Sequence, residues 1–372
     1  MKTQKWIGVV AALLVSIPIW AVPEKTALAK MVSLLDSGHG SFYQVNSFVA
    51  RPGLNIYYTK FGSHRGAKGS LVIVPGRTEA ALKYIEVAHD FIKRGYSPVY
   101  AIDHRGQGFT PTVLSKGHEL PDTNIGHVER FDEYVKDFTQ FVNDIVLKDG
   151  QVASQRLFLL SNSMGGAIAM RYFQKNTVNP FRKSALSGSM FKIKTEQKVA
   201  LIKTSFVCGI TDLITIGELD CYGYTPGEKA FAWAGREILP DGREISVRSF
   251  RGDDPEYPAN LTSSRDRFRI NDYLWNKWPQ AIVGGPSIKW TEQALTAGKV
   301  LRERGQLLKV TNDIFLLVAS RDFRADAKAQ KYVCKTVAKC QIKTYPSYHE
   351  ILMETDSIRS QALGDIFNYF EK

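Results

Sequence analysis

Short apolar runs alternate with amphipathic stretches over most of the chain. Aromatic and β-branched residues dominate Ser41–Ala50 and Asn55–Phe61, with Arg51-Pro52-Gly53 between them, which predicts a β-hairpin. Ser70–Val74 is a buried-type strand ending in Pro75-Gly76. A helix is predicted over Ala80–Arg94, stopped by Gly95, and a second buried strand over Ser97–Ile102. Phe131, Tyr134, Val135, Phe138, Phe141, Val142 and Ile145 recur at three- and four-residue steps, so 129–147 reads as an amphipathic helix. Strand Arg156–Leu160, helix Gly166–Asn176 and strand Ser184–Ser187 follow. Late in the chain come strand Ile314–Ala319, helix Ala325–Val337, strand Gln341–Tyr345 and helix Ser357–Phe370.

Apolar-run strands that alternate with helices imply an α/β fold, a mostly parallel sheet covered by helices on both faces. The alternation breaks between about 190 and 290, where Gly, Pro and aromatic residues scatter among helical pieces. This reads as a cap inserted over the sheet, with the core in two parts, 30–190 and 291–372, and the cap at 191–290. Trp233, Trp275, Trp278 and Trp290 all fall in the cap, which suits either contact with a lipid interface or a small core built from bulky rings.

Residues 1–29 have a different pattern. Lys2 and Lys5 precede an uncharged run from Trp6 to Pro23, and Ala27-Leu28-Ala29 offers a small-residue cleavage spacing. The expectation is a signal peptide and export to the periplasm or medium. The alternative is an uncleaved membrane anchor, although the run is short for a span and Pro18 interrupts it.

Composition narrows the class. With 44% hydrophobic and 23% charged residues, the chain is neither disordered nor a polytopic membrane protein. Its net charge of +12 suits an anionic partner, but no basic block or zinc-finger spacing marks a nucleic-acid footprint. Transient contact with an anionic membrane surface fits better, and no obligate protein partner is evident. In an exported chain, the even set Cys208, Cys221, Cys334 and Cys340 suggests two short-loop disulfides, 208–221 and 334–340; the alternative is four free thiols.

The candidate chemistry centres on Ser161-Asn162-Ser163-Met164-Gly165-Gly166, a strand, a sharp turn and a helix start. It is similar to a nucleophile elbow, G-x-S-x-G, with Ser161 in the first position. Such a turn needs small residues because the neighbours two positions from the nucleophile crowd together. Of seven histidines, only His349 follows Ser163. The acid is expected after strand Ile314–Ala319, where Asp322 comes first; Asp326 fits the first turn of the next helix, where a carboxylate favours the helix dipole. In the resulting triad Ser163 attacks, His349 carries the proton and Asp322 fixes the imidazole. The oxyanion donors are expected to be the backbone N–H groups of Met164 and Arg77.

Together, Asp103-His-Arg-Gly-Gln-Gly108, Gly126-His-Val-Glu-Arg-Phe131, Ser161–Gly166, Leu261-Thr-Ser-Ser-Arg265, Val283-Gly-Gly-Pro-Ser287 with Trp290, and Tyr348-His-Glu-Ile-Leu352 resemble the bacterial lysophospholipase and monoacylglycerol lipase branch of serine α/β-hydrolases. The resemblance covers about 40–372. It implies an α/β-hydrolase fold with a lid, cleavage of the single acyl ester of lysophospholipids or monoacylglycerols, and no metal or organic cofactor; the alternatives are a small-ester or peptide hydrolase on the same triad and a non-catalytic lipid-binding protein with this fold. Arg265 and Trp290 become candidate substrate-binding residues. Arg265, Arg267, Arg269 and Lys277 suit a lipid phosphate, or else form a solvated cap face. Two residues depart from the family pattern: Pro75 stands where a His often precedes the oxyanion glycine, and Asn162 stands where His is commoner.

Overall fold

The computed structural model describes residues 21–114, 119–194, 221–225, 230–250 and 261–372. Its main sheet has eight strands: β1 (Tyr43–Arg51), β2 (Leu54–Phe61), β3 (Gly69–Val74), β4 (Tyr96–Ile102), β5 (Leu157–Asn162), β6 (Phe181–Ser187), β9 (Ile314–Ala319) and β10 (Cys340–Tyr345). Their order is β1-β2-β4-β3-β5-β6-β9-β10. The β1/β2 and β2/β4 pairs are antiparallel, and every pair from β4 to β10 is parallel. Every residue of β3, β4, β5 and β9 is buried, which is why these strands read as unbroken apolar runs. The hairpin turns where expected, with Gly53 at φ 79°.

Helices cover both faces. On one lie α1 (Glu24–Ser37), α2 (Ile85–Lys93) and α8 (Asp356–Glu371), packed through rings such as Phe158 and Phe370, 4.7 Å apart. On the other lie α3 (Phe131–Gln140), α4 (Met164–Lys175) and α7 (Ala327–Thr336). Two expected helices differ in form. The one over Ala80–Arg94 opens as a 3₁₀ turn, Ala81–Tyr84, where Ala81 N–H donates to Asp103. The one over 129–147 is α-helical through Gln140 and continues as a π turn, Phe141–Val146.

Between the two core parts lie a small hairpin, β7 (Gly235–Ile238) with β8 (Glu244–Val247), and the helices α5 (Arg265–Lys277) and α6 (Ile288–Leu301). The expected cap boundary at residue 290 falls in the first turn of α6. Trp275 and Trp290 are buried, so these two rings serve packing. Trp275 meets Phe231 edge-on at 5.0 Å.

The folded body also extends back to residue 21. Ala27, Leu28, Met31, Val32 and Leu35 form the buried face of α1, and α1 packs on α5. Arg267, on α5, donates to Val22 O (3.1 Å), and Glu24 N–H donates to Asp356 (3.0 Å). The break expected between residues 29 and 30 therefore lies inside a packed helix. Cys334 and Cys340 form a disulfide between the end of α7 and the start of β10. Cys221 is disulfide-bonded as well, and Cys208 lies outside the described residues.

Candidate active site

Because β4, β3, β5, β6, β9 and β10 run parallel, their carboxyl ends share one edge of the sheet, where such folds place their ligands. Every expected triad residue follows one of these ends: Ser163 after β5, Asp322 after β9 and His349 after β10.

Ser163 has φ 51° and ψ −117°. Among the described residues only Ser163 and Thr78 are non-glycine residues with positive φ, and strain of this kind persists only where the surroundings enforce it. Here Ser163 N–H donates to Ser187 O (2.9 Å), and Ser163 O accepts from Gly166 and Met190 N–H. The glycines are obligatory: a Cβ on Gly165 would overlap Val74 O, and one on Gly166 would overlap the Ser189 side chain.

His349 and Asp322 are both buried, with His349 Nδ1 2.8 Å from Asp322 Oδ2. The other Asp322 oxygen accepts from Arg324 N–H (2.8 Å) and Ala325 N–H (3.0 Å), so the carboxylate cannot turn away. Burial disfavours a charged ring at His349, but the Asp322 carboxylate, helped by Glu350, outweighs it and holds the pKa above the ordinary value. The ring lies against Gly188, next to Ser187, whose carbonyl holds Ser163. Asp326 instead caps α7, accepting from Lys328 and Ala329 N–H, and pairs with Lys192 (2.8 Å).

The Met164 amide opens α4, so it is one of the helix-end donors without an intrahelical acceptor. The loop Pro75–Glu79 follows β3 and passes directly against Ser163, since a Cβ on Gly76 would lie 3.1 Å from Ser163 Cβ. Arg77, the next residue, donates through Nη2 to Gly284 O (2.7 Å), and its guanidinium stands 5.1 Å from the Trp290 ring. Trp290 is thereby tied to the Pro75–Glu79 loop.

Arg265 shows no such link; it pairs with Glu237 at 2.7 Å. The basic set around it is likewise internally paired. Arg267 bonds Glu86 and Asp356, Arg269 bonds Glu237 and Asp272, and Lys277 bonds Asp36. These partners favour an architectural role over a phosphate cradle.

The Asp103–Gly108 motif holds the Pro75–Glu79 loop in place. Gln107 accepts from Thr78 N–H (3.0 Å) and donates to Gly76 O (2.9 Å) and Glu79 O (3.2 Å). His104 Nε2 donates to Pro75 O (3.2 Å), and burial lowers its pKa to about 4, so the ring is neutral. Arg105 makes two 2.7 Å bonds to Asp137. Sequence reading uses this motif only as part of a family resemblance and misses Gln107, whose signal was an amide inside a glycine-rich segment at a strand end.

Residues 65–356 match the family model Hydrolase_4, serine aminopeptidase S33. Lysophospholipase L2 of Escherichia coli is 30% identical over 313 residues, which covers 81% of this chain and 80% of that protein. A monoacylglycerol lipase of Mycolicibacterium smegmatis is 32% identical over 127 residues, 34% of this chain and 40% of that one. The fold is shared with the crystal structure of a soluble variant of Saccharomyces cerevisiae monoglyceride lipase, with a TM-score of 0.59 at 16% identity over 90% of this chain and 97% of that chain. The match over most of its length makes this chain a member of the serine aminopeptidase S33 family, and it is a serine hydrolase.

Proposed function

We propose that the protein releases fatty acid from lysophospholipids, with Ser163, His349 and Asp322 as its triad. The observation that carries this reading is the 2.8 Å His349–Asp322 pair at the same sheet edge as the strained Ser163, in a chain 30% identical to lysophospholipase L2 over 81% of its length.

In the first step Ser163 Oγ attacks the acyl carbonyl carbon and its proton passes to His349 Nε2. The carbonyl π electrons move to oxygen, where the N–H groups of Met164 and Arg77 stabilise the charge; one such donor is typically worth about 3–4 kcal/mol in the transition state. The intermediate collapses, the ester C–O bond breaks, and His349 returns the proton to the departing glycerophospho-alcohol. Water then attacks the acyl-Ser163 ester with His349 again as base, releasing the fatty acid and restoring the hydroxyl. The Asp322 side chain, 2.8 Å from His349 Nδ1, holds and stabilises the imidazolium.

The similarity to a monoacylglycerol lipase supports that substrate as the second reading. A panel of lysophosphatidylethanolamine, monoacylglycerol and a short p-nitrophenyl ester separates the two. Faster release from lysolipid supports the first reading, and faster release from monoacylglycerol moves the assignment to the second.

The protein is proposed to act after export, touching the membrane only while it takes substrate. Support comes from the charged-then-apolar start of the chain and from the Cys334–Cys340 disulfide, a bond of oxidising compartments. The packing of α1 sets a limit on any leader. Removal no later than Ala21 leaves the helix intact, whereas removal after Ala29 divides it.

A further inference from the structure

At the end of the Pro75–Glu79 loop, the oxyanion loop that carries the proposed donor Arg77, Glu79 is buried with both carboxylate oxygens fully engaged. Oε1 accepts from Lys83 Nζ (2.7 Å) and Asn162 Nδ2 (3.1 Å). Oε2 accepts from the Tyr84 hydroxyl (2.6 Å) and from Gly76 N–H, one residue before Arg77. Lys83, only 5% exposed, makes a second bond to Glu350 Oε1 (2.7 Å). Glu350 is the chain neighbour of His349, and its own N–H donates to Leu261 O in the cap segment (2.8 Å). One ammonium thus joins the loop after β3 to the loop after β10, and Glu79 adds the residue preceding Ser163.

None of these groups exchanges a proton or forms a bond in the ester-cleavage steps, although the Glu350 charge supports His349. Stability does not account for them either, because apolar replacement of a buried ion cluster is often neutral or stabilising. What the cluster does supply is fixed spacing between three loops that meet only at the site.

We propose that Lys83, clamped between Glu79 and Glu350, is a positioning residue that sets the oxyanion loop and the His349 loop at their working separation around Ser163. The inference rests on the triad reading above. It assigns Glu79 to the hole side and Glu350 to the base side of the clamp. Asn162, where the family more often has His, becomes the link from the elbow to that clamp.

The test uses the full chain and its Lys83→Met and Glu79→Gln variants, each checked for native thermal unfolding. The readouts are kcat and KM on a short p-nitrophenyl ester and the rate of Ser163 labelling by a fluorophosphonate. Glu79→Gln keeps the volume, but each Glu79 oxygen faces two donors, so the new amide NH₂ must confront donors whichever way it turns. For either folded variant the expected result is a kcat lower by about 100-fold, the size of a sub-ångström to ångström misplacement, with slower labelling. KM should stay within about threefold, since no ground-state contact is removed. A folded Lys83→Met enzyme with kcat within about threefold of wild type overturns the proposal, as does a rise in KM alone. If Lys83→Met does not fold, Glu79→Gln decides by the same criteria. Wild-type protein that resists the fluorophosphonate would instead sink the Ser163 reading, so the two failures are distinct.

Discussion

Asp322 and Asp326 stand four residues apart and face opposite tasks. Asp322 holds His349 and is itself held by two backbone N–H groups, whereas Asp326 caps α7. Asp322→Asn should lower kcat by about 10⁴-fold, because an amide favours the wrong imidazole tautomer. Asp326→Ala should cost about 1 kcal/mol of stability with kcat nearly unchanged. Steady-state kinetics and chemical denaturation of both variants check the pair, and similar kinetic losses in the two would refute the division. The pH profile follows from His349. Only the neutral ring accepts the Ser163 proton, so kcat/KM should rise as pH passes upward through the His349 pKa. That pKa lies above the ordinary 6.5, which places the limb above 6.5 in wild type. In the residual activity of Asp322→Asn, burial is opposed by the lesser Glu350 charge alone and the limb should move to lower pH. Ser163 was legible in the sequence because the demand for small neighbours is local to one turn. Glu79, Lys83 and Gln107 were not, because their roles depend on partners up to 267 residues away.

At the scale of elements, the alternation of apolar runs and amphipathic stretches located every strand of the main sheet, since full burial leaves a continuous signature in β3, β4, β5 and β9. Helix α1 escaped because its apolar positions merge with the preceding uncharged run and the combination reads as a leader. A chain beginning at Val22 should fold normally. One beginning at Lys30 loses the buried Ala27 and Leu28 and leaves Arg267 without the Val22 carbonyl. The lost apolar burial and the stranded donor together should cost about 3 kcal/mol or more. Denaturant titration of the two truncations decides this, and equal stability would mean that α1 is dispensable. The disulfide belongs to the same scale. Cys334 and Cys340 lie six residues apart, and a loop that short is worth about 2 kcal/mol on the chain-entropy model. The double Ser variant should lose about that much stability while keeping its kcat; a large kcat loss without unfolding would show that the bridge also shapes the Asp322–His349 region.

For the molecule as a whole, the parallel sheet explains why residues from four distant segments reach one edge, and the cap is joined to that edge through the Arg77–Gly284, Arg77–Trp290 and Glu350–Leu261 contacts. The fold and the serine-hydrolase class were legible from strand order and the elbow. The cap's interior was not, because its pairing of Arg267, Arg269 and Lys277 with acids from other segments carries no local pattern. What remains to be measured is the reaction. Fatty-acid release from lysophosphatidylethanolamine should be rapid with the intact protein and absent with Ser163→Ala. Release that persists in the Ser163→Ala protein, or no release from the intact one, would contradict the assignment.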